Sequence, residues 1–427
     1  MSASPPPERA VRRPRPEIAP VPIFLAALLA AGGCGDEAPA GDSDAFTARD
    51  SSGVRIVEVG WDRMPVLDSV DAGPAHVVGG RDGPPLAGVR DARLLPGGRV
   101  AVAHGPPPEV VVVDTAGGDP VTVAAAGEGP AELGSAASLH LEGDGARLGV
   151  YDPRRRRYAV FDLDGGLVGE RSLRDVWPDR GGPAVSMWAP PAFLPVEDTS
   201  TFYFGARGDI PQDAGIDRAR LPLLRVRGSR LDTVTRYPGD AFFRRGRELG
   251  PVLLGPTAEF AAAPGGIWIG DTSSPSVARW SAPGAPELVV RWRRALDRSL
   301  TEEDVSELVG RLMERIPESQ RRAARRYAER PPVPDSLPAF GDLLVDERGV
   351  LWVGEHHGLD LARIRLLGDE PRSWALFAPD GTPRGRVVTP PRVDVLDVRS
   401  GWIVGLHQDT IGVETVRLYR VATDDER

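Results

Sequence analysis

A unit of roughly 40 residues recurs along this chain, and a period of that length is a signature of propeller blades. One copy reads Asp91-Ala-Arg-Leu-Leu-Pro-Gly-Gly, then Arg99-Val-Ala-Val-Ala-His104, Glu109-Val-Val-Val-Val-Asp114 and Pro120-Val-Thr-Val-Ala-Ala125. Four short apolar runs separated by turn residues predict four strands. A second copy starts at Ser138 and passes through Arg147-Leu-Gly-Val-Tyr-Asp152 to Gly166-Leu-Val-Gly-Glu170. Further copies begin near Ala192, Glu259, Asp342 and Asp394, which makes six. The expected fold class is all-β: a six-bladed β-propeller with four-stranded blades.

The last copy stops after its third run, Thr415-Val-Arg-Leu-Tyr-Arg-Val421. The missing strand has a candidate far upstream. His76-Val-Val-Gly-Gly-Arg-Asp-Gly-Pro84 repeats the form of Val123-Ala-Ala-Ala-Gly-Glu-Gly-Pro130, which joins one blade to the next. An N-terminal strand near residues 75–79 is therefore predicted to complete blade six as a velcro closure, removing open edges. Between blades four and five, Ser299 to Arg315 opens with capping residues and spaces Val305, Leu308, Val309 and Leu312 along one face. That pattern predicts an amphipathic helix, followed from Pro317 by a second helical stretch, so residues 299–330 form a helical insertion. Longer insertions at 207–220 and 356–371 fall between second and third strands.

Composition agrees with a turn-dense globular chain: Gly 50 and Pro 43 exceed a fifth of 427 residues, while 41% are hydrophobic. There is no lysine, so all 52 basic residues counted as Lys+Arg are Arg, and Schiff-base chemistry is excluded. The absence of asparagine excludes N-linked glycosylation. A net charge of -9 gives no electrostatic footprint for nucleic acid. With a single cysteine, no internal disulfide can form.

Residues 1–33 read as a signal peptide: Arg9, Arg12, Arg13 and Arg15, an apolar run from Ile23 to Ala31, then Gly32-Gly33. Leu29-Ala-Ala-Gly-Gly-Cys34 resembles a bacterial lipobox, with Ala31 where leucine is usual, and this implies lipidation of Cys34. Residues 34–53 are expected to be the lipidated cysteine and a flexible spacer, and 54–427 the propeller. Localisation would be the bacterial cell envelope, periplasm or outer membrane, with the membrane reached through the lipid only.

The blade sequences are similar to bacterial six-bladed propellers of the NHL and TolB-like superfamily. Asp152-Pro-Arg-Arg-Arg-Arg-Tyr-Ala-Val-Phe-Asp-Leu-Asp-Gly165 resembles an NHL strand pair, and Gly127-Glu-Gly-Pro130 an inter-blade linker. Gly405 to Arg420 resembles the closing segment of uncharacterised propeller lipoproteins. The resemblance implies the fold and no particular activity, because propellers host many. Some members of that superfamily are metal-dependent lyases or lactonases.

First-strand starts and second-strand ends converge on one channel mouth in such a fold. Asp91, Glu259, Asp342 and Asp394 share the first position, and His104, Asp152, Asp271, Glu355 and His407 the second, with His356 and His357 following Glu355. His140 also lies on a first strand. Two readings stand side by side: the carboxylates hold backbone amides of their own or the next blade, or the mouth is a binding site. In the second case His104, His356 and His407 are the candidate metal ligands, with Zn or Ca as the possible ion. Arg154 to Arg157 are read as a charged loop or an anion clamp, and Trp188 and Trp374 as stacking surfaces. There is no Gly-x-Ser-x-Gly and no phosphate loop between strand and helix. The expectation is a monomeric, non-enzymatic lipoprotein binding a protein or small-molecule ligand; the alternative is a metal-dependent lyase or lactonase at the mouth.

Overall fold

A computed structural model describes residues 46–421, except 68–69, 72, 81–82, 136–137, 143–144, 175–191, 197, 206–212, 229, 295–297, 316–324, 326–331, 357–358, 362–363 and 367–369. Cys34, His357, Trp188 and most of the predicted second helical stretch lie outside these residues. The described chain is mainly strand, arranged as successive four-stranded antiparallel sheets of the β-propeller type. The first sheet runs Asp91–Leu95, Arg99–His104, Glu109–Asp114 and Val121–Ala125, each strand pairing with the next. The second to fifth sheets open on Ser138–Glu142, Ala192–Val196, Ala258–Ala263 and Leu343–Val345. The sixth opens on Val393–Arg399, continues through Trp402–Gln408 and Glu414–Arg420, and ends on His76–Gly79. That last strand is antiparallel to Glu414–Arg420, with His76 opposite Leu418 and Gly79 opposite Thr415.

Strand periodicity explains why runs such as Glu109-Val-Val-Val-Val-Asp114 are apolar on both faces. Successive side chains point to opposite sides of a sheet, and here both sides are covered. Val111 and Val113 pack with Val404, Leu406 and Val416 of the sixth sheet, whereas Val110 and Val112 pack with Leu139, Val150 and Phe161 of the second. The same device repeats throughout. Phe202 and Phe204 join the second sheet's Tyr151 and Tyr158, and Tyr203 and Leu223 join the fourth sheet's Phe260 and Ile269. Trp268 links the fourth sheet to Leu351 and Phe377 of the fifth, and Trp352 and Trp374 link the fifth to Val395 and Ile403 of the sixth. Each core cluster of this series joins two consecutive sheets, and one joins the sixth to the first.

Turn chemistry sets the hairpins. Gly97 and Gly98 both sit at φ +77 between the first two strands of the first sheet, a conformation L side chains rarely adopt. Connections between first and second strands and between third and fourth emerge at one end of the sheets. Those between second and third strands, and between sheets, emerge at the other. The second end carries every larger insertion: the Leu359–Leu361 and Ile364–Leu366 hairpin, the small sheet Gly215–Asp217, Phe242–Arg245 and Glu248–Pro251, and the helix Glu302–Arg315. Thr301 caps that helix: its hydroxyl donates to Asp304 Oδ2 at 2.7 Å, and the Asp304 amide donates back to Thr301 Oγ1 at 3.1 Å. Leu308, Val309 and Leu312 pack on Leu253 and Leu254.

One boundary differs from expectation. Phe46–Ser51 is a strand rather than spacer, paired antiparallel with Val54–Gly60 through a turn at Ser52 (φ 53) and Gly53 (φ 80). Val54–Gly60 in turn lies parallel to Leu288–Arg293, so the fourth sheet has six strands. The polar sequence Thr47-Ala-Arg-Asp-Ser51 hides this strand, because its residues face solvent and carry no apolar alternation. From there the chain runs along the outer edges of the next sheets. Leu67 N donates to Arg386 O and Arg386 N to Pro65 O on the fifth sheet, and Ala75 N donates to Leu418 O on the sixth.

Val78 is buried (3%) in the core between the sixth and first sheets, whereas its neighbour Val77 is 52% exposed. Val78→Asp is expected to cost at least about 3 kcal/mol, and Val77→Asp to stay within about 0.5 kcal/mol. Urea unfolding of the two variants checks the role of the far N-terminal strand in the sixth sheet.

Candidate functional site

The mouth carboxylates are engaged by the fold itself. Asp91 is buried; its Oδ1 accepts from Ala92 N at 2.9 Å and its Oδ2 from Leu139 N of the second sheet at 2.8 Å. Asp152 accepts from Gly134 N at 2.8 Å, from the Ser135 hydroxyl at 3.1 Å and from Arg155 N at 3.1 Å, which fixes the linker between the first two sheets. Asp271 takes a bidentate bond from Arg218 at 2.9 and 3.1 Å, and Glu259 Oε1 accepts from the Thr257 hydroxyl at 2.8 Å. Asp342 and the Glu355 carbonyl both receive Arg372, which is 2% exposed and lies 4.0 Å from Asp394 and 4.3 Å above the Trp374 ring. Glu355 also pairs with Arg294. These bonds match the first of the two readings, in which the carboxylates hold backbone and neighbouring blades.

The histidines are not assembled either. His104 ends its strand 3.7 Å from Glu109, and burial lowers its pKa against the pull of Glu109 and Glu414. His407 is lowered by burial and then by Arg417. His356 is half-buried beside Glu355. Among the described residues no three His, Cys, Asp or Glu side chains come together to hold a metal ion, the candidate ligands His104, His356 and His407 included. Two further expectations change. Trp374 is fully buried beneath Arg372 and donates to Thr389 Oγ1 at 3.3 Å, so it offers no stacking face. Within Arg154–Arg157, Arg155 donates to the carbonyls of Gly127 and Glu128, and Arg157 to Glu132 O and Glu170 at 2.7 Å; this run clasps the inter-sheet linker.

A cavity lies deeper, at the innermost strands. It has a volume of about 280 Å³ and is lined by the first strand of every sheet: Arg93, Leu139 to Glu142, Leu194 and Pro195, Phe260 to Ala262, Leu343 to Val345, and Asp397 with Arg399. Its polar wall follows the period of two along those strands, as His140 and Glu142 or Asp397 and Arg399, with Arg93 two residues on from Asp91. The alternation is visible in the sequence, yet the apolar pattern of the blades draws attention to the strand starts rather than to positions two and four residues on.

Arg93 is the hub. Its Nε donates to Leu139 O at 3.0 Å, Nη1 to Leu396 O at 2.5 Å and Nη2 to Asp91 Oδ2 at 3.0 Å, with Asp397 at 3.5 Å. Asp397 Oδ2 accepts from Leu94 N at 3.0 Å. One guanidinium thus ties the second, first and sixth sheets. Burial works against its charge, but Asp91 and then Asp397 more than offset this and raise its pKa. Burial raises the Asp91 carboxyl, with Arg93 opposing. His140 lies beside them, 3.1 Å from the Ser138 hydroxyl, and burial followed by the Arg93 charge pushes it down to about 3. Glu142 accepts from the Tyr158 hydroxyl at 2.7 Å. Gly149 makes that bond possible, since a Cβ there would lie 1.7 Å from the Tyr158 oxygen.

Arg399 differs from all of these. It is half-buried at the end of its strand, and its guanidinium makes no hydrogen bond or ion pair to the described residues; its Nε is fully buried and unsatisfied. A guanidinium nitrogen buried without a partner is costly, and here it belongs to a side chain that lines the cavity.

No protein-family model and no curated protein matches the chain. Among solved structures it is similar to a protein assigned as exported from Bacteroides fragilis, at 10% identity over 86% of this chain and 100% of that one, TM-score 0.46. It is also similar to a DUF4221-family member from Bacteroides vulgatus, at 8% identity over 84% and 94%, TM-score 0.44. A third is the calcium-binding protein regucalcin from Agrobacterium tumefaciens, at 10% identity over 84% and 97%, TM-score 0.38. None of these likenesses assigns this chain a ligand or an activity.

Arg93→Met leaves Asp91 and Asp397 buried without their cation and is expected to cost about 3–5 kcal/mol in denaturant unfolding. The second expectation concerns acid. An unfolded histidine takes up a proton below its ordinary value of 6.5, whereas folded His140 resists protonation until about 3. Stability is therefore full above 6.5 and falls through this window, at up to about 1.4 kcal/mol per pH unit from this group. His140→Gln should flatten that part of the acid limb, measured as unfolding free energy at pH steps between 7 and 4.

Proposed function

We propose that this chain is an exported, lipid-anchored protein whose six sheets close into one six-bladed propeller, with His76–Gly79 as the closing strand, and whose central cavity binds a small ligand without transforming it. Support for closure comes from the core clusters, which join every sheet to the next and the sixth to the first. The observation that carries the ligand site is Arg399: an unpaired, half-buried guanidinium in a cavity to which all six first strands contribute. A binding role is favoured over catalysis because the titratable groups around it are tied up. Arg93 is spent on two carboxylates and two carbonyls, His140 is held neutral, and no nucleophile motif is present.

On this reading residues 1–33 are removed on export, Cys34 carries the lipid, and the spacer is the short stretch before Phe46. Among the described residues no helix is long and apolar enough to cross a membrane. The propeller acts as a monomer on its tether, and the insertion-bearing end of the ring is the face available to a protein partner.

Two measurements test this. Full-length protein made in a bacterial host should partition into the detergent phase of Triton X-114, and Cys34→Ser should move it to the aqueous phase. Purified protein screened against a mixed metabolite library by native mass spectrometry should retain a small ligand. Arg399→Gln should lose it at least tenfold, while Arg293→Gln, at an outer position 91% exposed, should not. Equal retention by Arg399→Gln would overturn the cavity as the site.

A further inference from the structure

Two guanidiniums line the cavity, and they stand in opposite states. Arg93 is committed: it donates to Leu139 O, Leu396 O and Asp91, with Asp397 at 3.5 Å. Arg399 makes no hydrogen bond or ion pair to the described residues, and its Nε is buried without an acceptor. A guanidinium keeps its charge at any physiological pH and presents its N–H donors as a rigid planar fork. The group that answers such a fork with two parallel hydrogen bonds is an oxyanion, and a planar carboxylate fits it directly.

Charge balance limits the ligand to one negative group. The carboxylates on the same wall are already bonded, Asp397 by Arg93 and the Leu94 amide and Glu142 by the Tyr158 hydroxyl. A second anionic group would find no further uncommitted guanidinium among the described lining residues, and it would enter a space that already holds two carboxyl groups. Burying a charge without a partner is costly, which disfavours dicarboxylates and phosphate esters. His140 offers them no compensation, because burial and the Arg93 charge keep it neutral down to about 3.

Size and lining set the rest. At about 280 Å³ the cavity lies at or below the lower end of ligand pockets, which span roughly 300–1,000 Å³. Much of its remaining wall is apolar, from Leu141, Leu194, Phe260 and Leu343 among others. Such a wall favours a short hydrocarbon body over a sugar or a long chain.

We propose that the central cavity takes a small monocarboxylate with an apolar body, its carboxylate on Arg399 and its body against the leucine and phenylalanine wall. This rests on reading the cavity as the ligand site. Recognition is then divided: the fork selects the charge, and the enclosed volume selects the body.

Calorimetric titration of the full-length protein in a nonionic detergent tests this, with acetate, butyrate, hexanoate, benzoate and decanoate as probes and succinate and inorganic phosphate as controls. Affinity should rise from acetate to one of the mid-sized acids and fall again at decanoate. Succinate, phosphate and the amide of the tightest-binding acid, which keeps its shape without its charge, should each bind at least tenfold more weakly than that acid. Arg399→Gln should lower its affinity at least tenfold, with Arg399→Lys recovering part of it. Succinate or phosphate binding as tightly as every monocarboxylate, or the amide as tightly as its acid, would overturn the ligand class; decanoate binding tightest of all would do the same, pointing to a membrane-derived fatty acid. If no probe binds while the library screen still finds a ligand lost in Arg399→Gln, the ligand class alone fails. If that screen also finds nothing, both fail.

Discussion

Every strand in the middle of these sheets has to be buried on both faces, and the rest of the structure follows from that requirement. A sheet with two apolar faces cannot stop at one partner; it needs a neighbour on each side. Val110 and Val112 answer to the second sheet while Val111 and Val113 answer to the sixth, from a single strand. Six sheets satisfy the demand by packing in sequence and meeting again at the sixth and first. Polar groups then enter only where they can be matched. Asp91, Arg93 and Asp397 do so by bonding across three sheets at the innermost strands.

That triad shows how a polar core can serve as a register mark. Leu139 N and Leu94 N each donate to a carboxylate of the neighbouring sheet, so a slip of one residue along either strand would leave a buried amide and a buried charge unmatched. Apolar contacts alone mark register less sharply in a run such as Val110 to Val113, where valine also meets valine one residue along. The cost of the arrangement is a set of titratable groups away from bulk solvent, among them His140, which burial and the Arg93 charge push down to about 3.

Much of the fold was legible in the sequence because its signals are local and repeated: turn, apolar run, turn. The strand His76–Gly79 could be placed against a partner about 340 residues away only because its flanking Gly-rich form recurs at Val123–Pro130. Phe46–Ser51 is hidden because its strand character comes from pairing with Val54–Gly60 and not from an apolar face. The site was harder. Asp91, Asp342 and Asp394 looked functional by position, but Arg93 and Arg372, which consume them, sit on strands where an arginine reads as solvent-facing. Arg399 resembled any other arginine before a turn. What sets it apart is an absence of partners, and that is a property of three dimensions.

The N-terminal segment, seen as a whole, is a belt. It pairs with the outer edge of the fourth sheet at Val54–Gly60, touches the fifth at Pro65 and Leu67, and ends as the outer strand of the sixth. The order in which the ribosome releases the chain therefore differs from the order in which the belt can be fastened. Its first hold waits for Leu288–Arg293, its second for Pro383–Thr389 and its last for Glu414–Arg420, so the buckle closes only after the other described strands of the six sheets have been made. Until then His76–Gly79 has no edge to join, and a strand made before the first sheet takes its place after the sixth.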